Sequence, residues 1–166
     1  MLAREQGKEP SSYVGSFAGA MGYPQFMPSA WRNFGIDGDG DGKVDLITSV
    51  DDAIFSISNY LRRHGWAPGQ QVALPVRIPS QKALELRAAA NSDKPGLSLA
   101  ELSAANVQPL AGALTDEPAI LVDLPTPGKP TEYWVGYPNF YALMQYNRSF
   151  FYAMAVFQLS QALAAK

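Results

Sequence analysis

Cysteine is absent from the 166 residues, and histidine occurs once, at His64. The first absence excludes a disulfide scaffold and thiol chemistry, and fits either the cytoplasm or a cell envelope without structural disulfides. With one histidine no Ser-His-Asp constellation can be argued; His64 follows Arg62 and Arg63 just before Gly65 and reads as a cation at a helix end. No apolar run is long enough for a membrane span. Met1-Leu2-Ala3-Arg4-Glu5 has neither the apolar stretch of a signal peptide nor a cysteine for lipidation, so any export signal is expected upstream. A basic excess is missing too: 13 Lys and Arg stand against 15 Asp and Glu, for a net charge of −2, which leaves no electrostatic footprint for nucleic acid. What remains is globular material, 47% apolar, enough for one domain with a subdomain or insertion.

The strongest chemical signal is acidic. Of nine aspartates, six fall between Asp37 and Asp52, where D-G-D-G-D-G-K-V-D reads as an oxygen-rich cradle for a hard divalent cation. Ca²⁺ takes six to eight oxygen ligands on a sharply turning loop, and alternation with glycine lets successive carboxylates converge. Asp37, Asp39 and Asp41 occupy the first, third and fifth positions of an EF-hand-like loop. Gly42 takes the turn position, Lys43 offers its backbone carbonyl, and Asp45 takes the ninth. The twelfth position is Thr48 rather than the usual bidentate Glu, so the loop must close differently. Asp51 or Asp52 can swing back onto the ion while the other caps the helix that follows.

From Ser11 to Arg32 the chain is rich in small residues, aromatics and Met, with Pro24 and Pro28 breaking any long helix. Val50, Ile54, Ile57 and Leu61 recur at helical spacing and predict a helix ending at Gly65. Beyond Trp66, proline-punctuated runs at Val72 to Ile78 and Ala119 to Leu124 read as strands, with a small helical patch at Ser98 to Ala105. The expected organisation is therefore a helical region over 1–66, a small β-rich insertion over 67–132 with Gly128-Lys129-Pro130 as its exit turn, and a return to helix over 133–166. There the spacing of Tyr152, Val156, Leu159 and Leu163 predicts a closing helix.

Three segments carry a resemblance. Gly15-Ser16-Phe17-Ala18-Gly19-Ala20-Met21-Gly22-Tyr23-Pro24-Gln25-Phe26-Met27-Pro28-Ser29, the Asp loop with its helix, and Asn139-Phe140-Tyr141 through Tyr146-Asn147 together resemble the bacterial membrane-bound lytic transglycosylase B family. Their order and spacing cover nearly the whole chain. The resemblance implies an α+β fold: a mostly helical, lysozyme-like core with an EF-hand-like calcium loop and a small inserted β-rich subdomain. It implies cleavage of the β-1,4 bond between N-acetylmuramic acid and N-acetylglucosamine in peptidoglycan strands, without water, leaving a 1,6-anhydro ring. It also implies a periplasmic setting, with an outer-membrane lipoprotein as one form of the parent.

In that family the general-acid Glu lies in a helical motif several dozen residues upstream of the Ser11 to Ser29 segment. No catalytic residue is therefore expected in this chain. Glu5, Glu9, Glu85, Glu101, Glu117 and Glu132 read as surface positions, and the chain is expected to be inactive without the missing N-terminal part of the same protein. Carried over by resemblance, Ser16, Gln25, Tyr60 and Tyr141 line the saccharide cleft. From residue chemistry alone the tyrosines read first as core aromatics, and Ser16 reads equally as a cap and Gln25 as a turn residue. Alignment through Asn59-Tyr60 favours Asp52 over Asp51 as the last ligand of a structural Ca²⁺. At Val135 several relatives carry a further aromatic, a contact that is missing here or passes to Tyr133 or Tyr137. The runner-up reading is a non-catalytic peptidoglycan-binding or scaffolding module that lacks the acid.

Overall fold

Proline and glycine cut the first 35 residues into short pieces. The computed structural model, which describes residues 1–89 and 93–165, gives there only α1 (Leu2–Glu5), a 3-10 turn (Pro10–Ser12) and α2 (Pro28–Phe34). Pro28 opens α2 at a position where its missing N–H costs nothing. Between α1 and α2 the chain folds on itself through bridges from Met21 to Gly15 and to Phe26, which bury Met21 and Phe26.

The helix predicted after the Asp loop is α3 (Val50–Arg63). Its cap differs from expectation. The hydroxyl of Ser49 accepts the N–H of Asp52, at 3.2 Å, so neither Asp51 nor Asp52 is the cap and both sit in the first turn, where a negative charge is favourable. The stripe that revealed the helix also lies differently: Val50 and Ile54 are each 54% exposed, while Asp52, Ala53 and Ser56 face inward. Ser56 explains part of this inversion, because its hydroxyl accepts the N–H of Ile36 at 2.9 Å and fastens α3 to the chain leaving α2. Asn59 donates to the carbonyl of Phe34 at 3.0 Å, satisfying an orphan group at the end of α2.

These elements form one compact unit, Met1–Arg63; His64–Lys166 forms a second. The second is built on an antiparallel sheet of β1 (Ala73–Arg77), β2 (Gln108–Pro109), β3 (Ile120–Leu124) and β4 (Glu132–Gly136), in the order β2-β1-β4-β3. β4 lies just past the Gly128-Lys129-Pro130 turn, where a return to helix was expected, and instead forms an inner strand of the sheet, pairing Val135 with Leu74 on one side and Leu121 on the other. That alignment puts Leu74, Val135 and Leu121 on one face, which they share with Val76 and Tyr137 in a buried core capped by Leu102 and Val107. Fully burying each such side chain contributes about 1.5–3 kcal/mol.

Two helices lie between the strands. α5 (Leu99–Ala104) fills the expected helical patch and opens on a reciprocal capping box between Ser98 and Glu101. α4 (Ser80–Ala89) stands where only short strands were expected. Its apolar residues form no continuous stripe, since it buries little beyond Ala83 and leaves Leu84 64% exposed, so periodicity carried no signal. Helix formers and a Lys82–Glu85 pair at 2.7 Å sustain it.

α6 (Pro138–Tyr146) and the predicted closing helix α7 (Phe150–Ala164) complete the unit. Asn139, 1% exposed, holds the entry of α6 to the chain leaving α3. Its Oδ1 accepts from Ala67 N at 2.8 Å, and its Nδ2 donates to the carbonyls of Ala67 and Gln70 at 2.9 and 3.0 Å. Among the described residues no helix is long and apolar enough to cross a membrane.

Candidate functional site

The acidic loop is organised by its own backbone. Asp37 accepts from Gly40 N at 2.7 Å and from Gly42 N at 2.8 Å, each oxygen taking one bond, which winds the loop around the first carboxylate. Asp39 Oδ1 accepts from Asp41 N at 3.2 Å, and its Oδ2 accepts from the Ser49 hydroxyl at 2.9 Å. The closing group is Asp52. It is 1% exposed, its Oδ1 accepts from Gly38 N at 2.8 Å, and its Oδ2 accepts from Asp45 N at 2.6 Å. Close approach explains one glycine here: a Cβ on Gly38 would meet the carbonyl oxygen of Asp51 at 2.6 Å and the ring of Phe55 at 2.7 Å.

Of the expected ligands, Asp37, Asp39 and Asp52 are brought together, each offering a carboxylate oxygen within 4.8 Å of the others. Asp41 and Asp45 stand outside that group. Asp41 is exposed and accepts from Lys43 N at 2.8 Å. Asp45 turns away to serve the next turn, accepting from Ile47 N, Thr48 N and the Thr48 hydroxyl at 2.9, 3.2 and 3.1 Å and pairing with Lys8 at 3.3 Å. Asp51 is exposed on α3, and its carboxylate is no part of the group.

Burial pushes the Asp52 carboxyl upward, but the N–H groups of Asp45, Gly38 and Asp39 and the Ser49 hydroxyl outweigh it and hold the group below the usual carboxylate range. Asp45 is held low in the same way, burial being overcome by the bonds from Ile47, Thr48 and Lys8. Both therefore stay ionised at neutral pH. Three converging hard oxygens, one of them buried, suit a cation such as Ca²⁺ better than any soft metal.

The loop is fastened to the Ser11 to Ser29 segment through Leu46, which is wholly buried. Tyr23 N donates to its carbonyl at 2.8 Å, and Gly22, at φ +67°, packs against the same oxygen where a side chain would collide. Within this segment Ser16 and Gln25 are both exposed and both shape turns. The Ser16 hydroxyl accepts from Ala20 N at 3.1 Å, and Gln25 Nε2 donates to the Gly22 carbonyl at 3.0 Å. Gln25 adopts φ +50°, a region costly for a residue with a side chain, as does Asn106 at φ +58° in the second unit. Tyr60 is half-buried against Phe34 and Phe26, with ring centroids 4.9 and 5.6 Å away.

In the second unit Tyr141 is half-buried on α6 and lines a recess with Asp93, Lys94, Met144, Gln145 and Arg148. Tyr137 cannot contact a ligand: it has no exposed surface, and its hydroxyl accepts from Thr115 N at 3.2 Å. Tyr133 keeps some surface and lines a separate groove of about 470 Å³ with Arg77, Glu132 and Trp134. Arg148 and Lys94, beside Tyr141, were not among the expected site residues, although Arg148 directly follows the Tyr146-Asn147 pair.

Three of the six glutamates have local roles, and Glu117 does not take the surface position expected of it. Glu5 pairs with Arg32 at 2.6 Å, Glu85 with Lys82, and Glu101 closes the capping box on Ser98. Glu9 and Glu132 are exposed, whereas Glu117 is half-buried with Oε2 unpartnered.

The sequence family described as the transglycosylase SLT domain matches residues 1–161, and the chain belongs to it. It is 41% identical over 172 residues to the membrane-bound lytic murein transglycosylase B of Escherichia coli (strain K12), across 99% of this chain and 43% of that relative. The Escherichia coli lytic transglycosylase Slt35, solved in complex with calcium, superposes with a TM-score of 0.85 at 40% identity, over 99% of this chain and 50% of Slt35. SltB3 from Pseudomonas aeruginosa, solved with NAG-anhNAM-pentapeptide, superposes at 0.76 with 37% identity, over 93% of this chain and 41% of SltB3. These matches place the fold in the lysozyme-like α+β class. The chain spans about half the length of the relatives it matches.

Proposed function

We propose that residues 1–166 are the calcium-binding and saccharide-binding part of a peptidoglycan lytic transglycosylase that works in the periplasm. The observation that carries this reading is the convergence of Asp37, Asp39 and Asp52 in a chain whose relative Slt35 was solved with calcium. Asp37, Asp39 and Asp52 would hold the ion, with Asp41 and the Lys43 carbonyl as the nearest further donors along the loop. Asp45 is the least suited of the expected ligands, because its oxygens already serve Thr48, Ile47 and Lys8. The ion supplies structural charge compensation in a loop whose carboxylates otherwise repel one another.

The remaining residues act on the glycan. Ser16 and Gln25 stand exposed on turns suspended from the loop. Gln25 Oε1 accepts no hydrogen bond among the described residues, leaving it able to orient an acetamido N–H. Tyr60 and Tyr141 each offer a half-exposed ring to a sugar face and a hydroxyl to its rim. The chemistry requires one carboxylic acid that protonates the leaving oxygen of the MurNAc–GlcNAc bond and then, as carboxylate, takes the proton of the C6 hydroxyl as it closes the 1,6-anhydro ring. The local engagements of Glu5, Glu85 and Glu101 remove those three as candidates, and the order of motifs in the family is the ground for an acid supplied from outside residues 1–166. Residues 67–132 would be an inserted β-rich subdomain between helical parts 1–66 and 133–166, with β4 completing its sheet from just past the exit turn.

Incubating purified murein with this chain, and with a chain extended on its N-terminal side to the length of the relatives, tests the reading. Anhydro-muropeptides are expected from the longer protein alone, and the shorter one should bind peptide-free glycan without cutting it. Products from residues 1–166 alone would mean that the acid lies within them. Binding by both without cleavage by either would favour a peptidoglycan-binding module.

A further inference from the structure

The recess beside Tyr141 adjoins a second one. Volumes of about 160 Å³ and about 310 Å³ share Asp93, Met144 and Arg148, so they adjoin as one grooved surface on the second unit. Buried Met144 gives it an apolar floor. Three cations, Lys94, Arg148 and Arg87, and two carboxylates, Asp93 and Asp123, line it, which makes it locally cationic on a chain of net charge −2.

The charges are not evenly spent. Arg87 takes both acids, with its Nε 3.2 Å from Asp123 and its Nη2 3.7 Å from Asp93, and its guanidinium lies 4.9 Å from the centroid of the Phe150 ring. Arg148 is exposed and forms no ion pair among the described residues. Its planar fork matches a carboxylate, and with both acids held on Arg87 the groove turns positive charge toward a ligand. A doubly charged phosphate would suffer more from nearby Asp93 than a singly charged carboxylate does.

We propose that this groove receives a carboxylate of the peptide arm borne by a peptidoglycan strand, with Arg148 as the recognising cation and Tyr141 marking the junction with the sugar. The inference rests on the saccharide reading above and gives it a substrate preference: strands that carry peptides over bare ones. Such an arm is at hand in the relative SltB3, whose bound NAG-anhNAM carries a pentapeptide, and any such peptide ends in a carboxylate unless it is capped.

Calorimetric titration with three probes tests it: a peptide-free GlcNAc-MurNAc tetrasaccharide, the same saccharide bearing its peptides, and the peptide-bearing form with its carboxylates amidated. The chain should bind the peptide-bearing form about tenfold more tightly than the peptide-free one, as expected for one charge-assisted pair. Amidation, R148Q and R148E should each bring that ratio to about one. Arg148 is exposed and forms no ion pair among the described residues, so both variants should melt with the wild type. Equal affinities for the first two probes, or a preference that survives R148Q and R148E, would overturn the carboxylate site while leaving saccharide binding intact. Failure to bind any of the three would overturn the saccharide reading and this inference with it.

Discussion

Asp52 ties the two ends of the acidic loop together from a buried position. Its two oxygens take the N–H groups of Gly38 and Asp45 from opposite ends of the loop while one of them faces Asp37 and Asp39. An amide at this position keeps one acceptor and loses the charge, so Asp52→Asn should lower stability by about 1–3 kcal/mol, the cost of a buried N–H left without its partner. The wild type should also melt about 5–10 °C higher in calcium at a hundred times its dissociation constant than in chelator. Asp52→Asn should abolish that difference, and a calcium shift that persists in the variant would assign the ion elsewhere. Asn139 holds a similar place in the second unit. Asn139→Ala removes one acceptor and two donated bonds from the chain at Ala67 and Gln70, and should cost about 2–4 kcal/mol in a urea titration.

At the scale of elements, helices announced themselves unequally. α3 and α7 were legible from spacing alone, yet in both the repeating apolar residues lie largely outside: Val50 and Ile54 in α3, Leu159 and Leu163 in α7. Periodicity reports an amphipathic helix, not which face is covered. α4 was illegible because its hold on the core is little more than Ala83, whereas α5 is shorter but carries a capping box. Ser98→Ala should therefore unfold α5 preferentially and cost about 1 kcal/mol, measured by denaturant melts or by faster amide exchange at Glu101. The box has a pH signature of its own. Bonds from Ser98 hold the Glu101 carboxyl below its usual range, so its stabilisation is full at neutral pH and is lost as pH falls through that lowered value. β1 and β3 were legible from composition, but β2 and β4 were not, and β4 falls where a return to helix was expected, because its place depends on pairing with β1, far off in the chain.

For the whole molecule, the candidate site was legible where chemistry is local and hidden where it depends on the path of the chain. The alternation of Asp and Gly identified the loop, and its first and last carboxylates converge. The diversion of Asp45 to Ile47 and Thr48, and the exposure of Asp41, depend on backbone N–H directions that spacing does not encode. Likewise Ser16 and Gln25 proved to be turn residues, while the positive φ of Gln25 is a property of the folded segment alone. The groove beside Tyr141 gathers Arg87, Asp123 and Arg148 from three distant stretches, a juxtaposition no reading along the chain reveals. A cation held by the loop should brace the turns that present Ser16 and Gln25 to a glycan. The most direct test of this bracing is the affinity for a peptide-free GlcNAc-MurNAc oligosaccharide measured by calorimetry in calcium, in chelator, and after calcium is restored. Binding should weaken several-fold in chelator and return in full with the ion; the same affinity under all three conditions would leave the cation no bracing role.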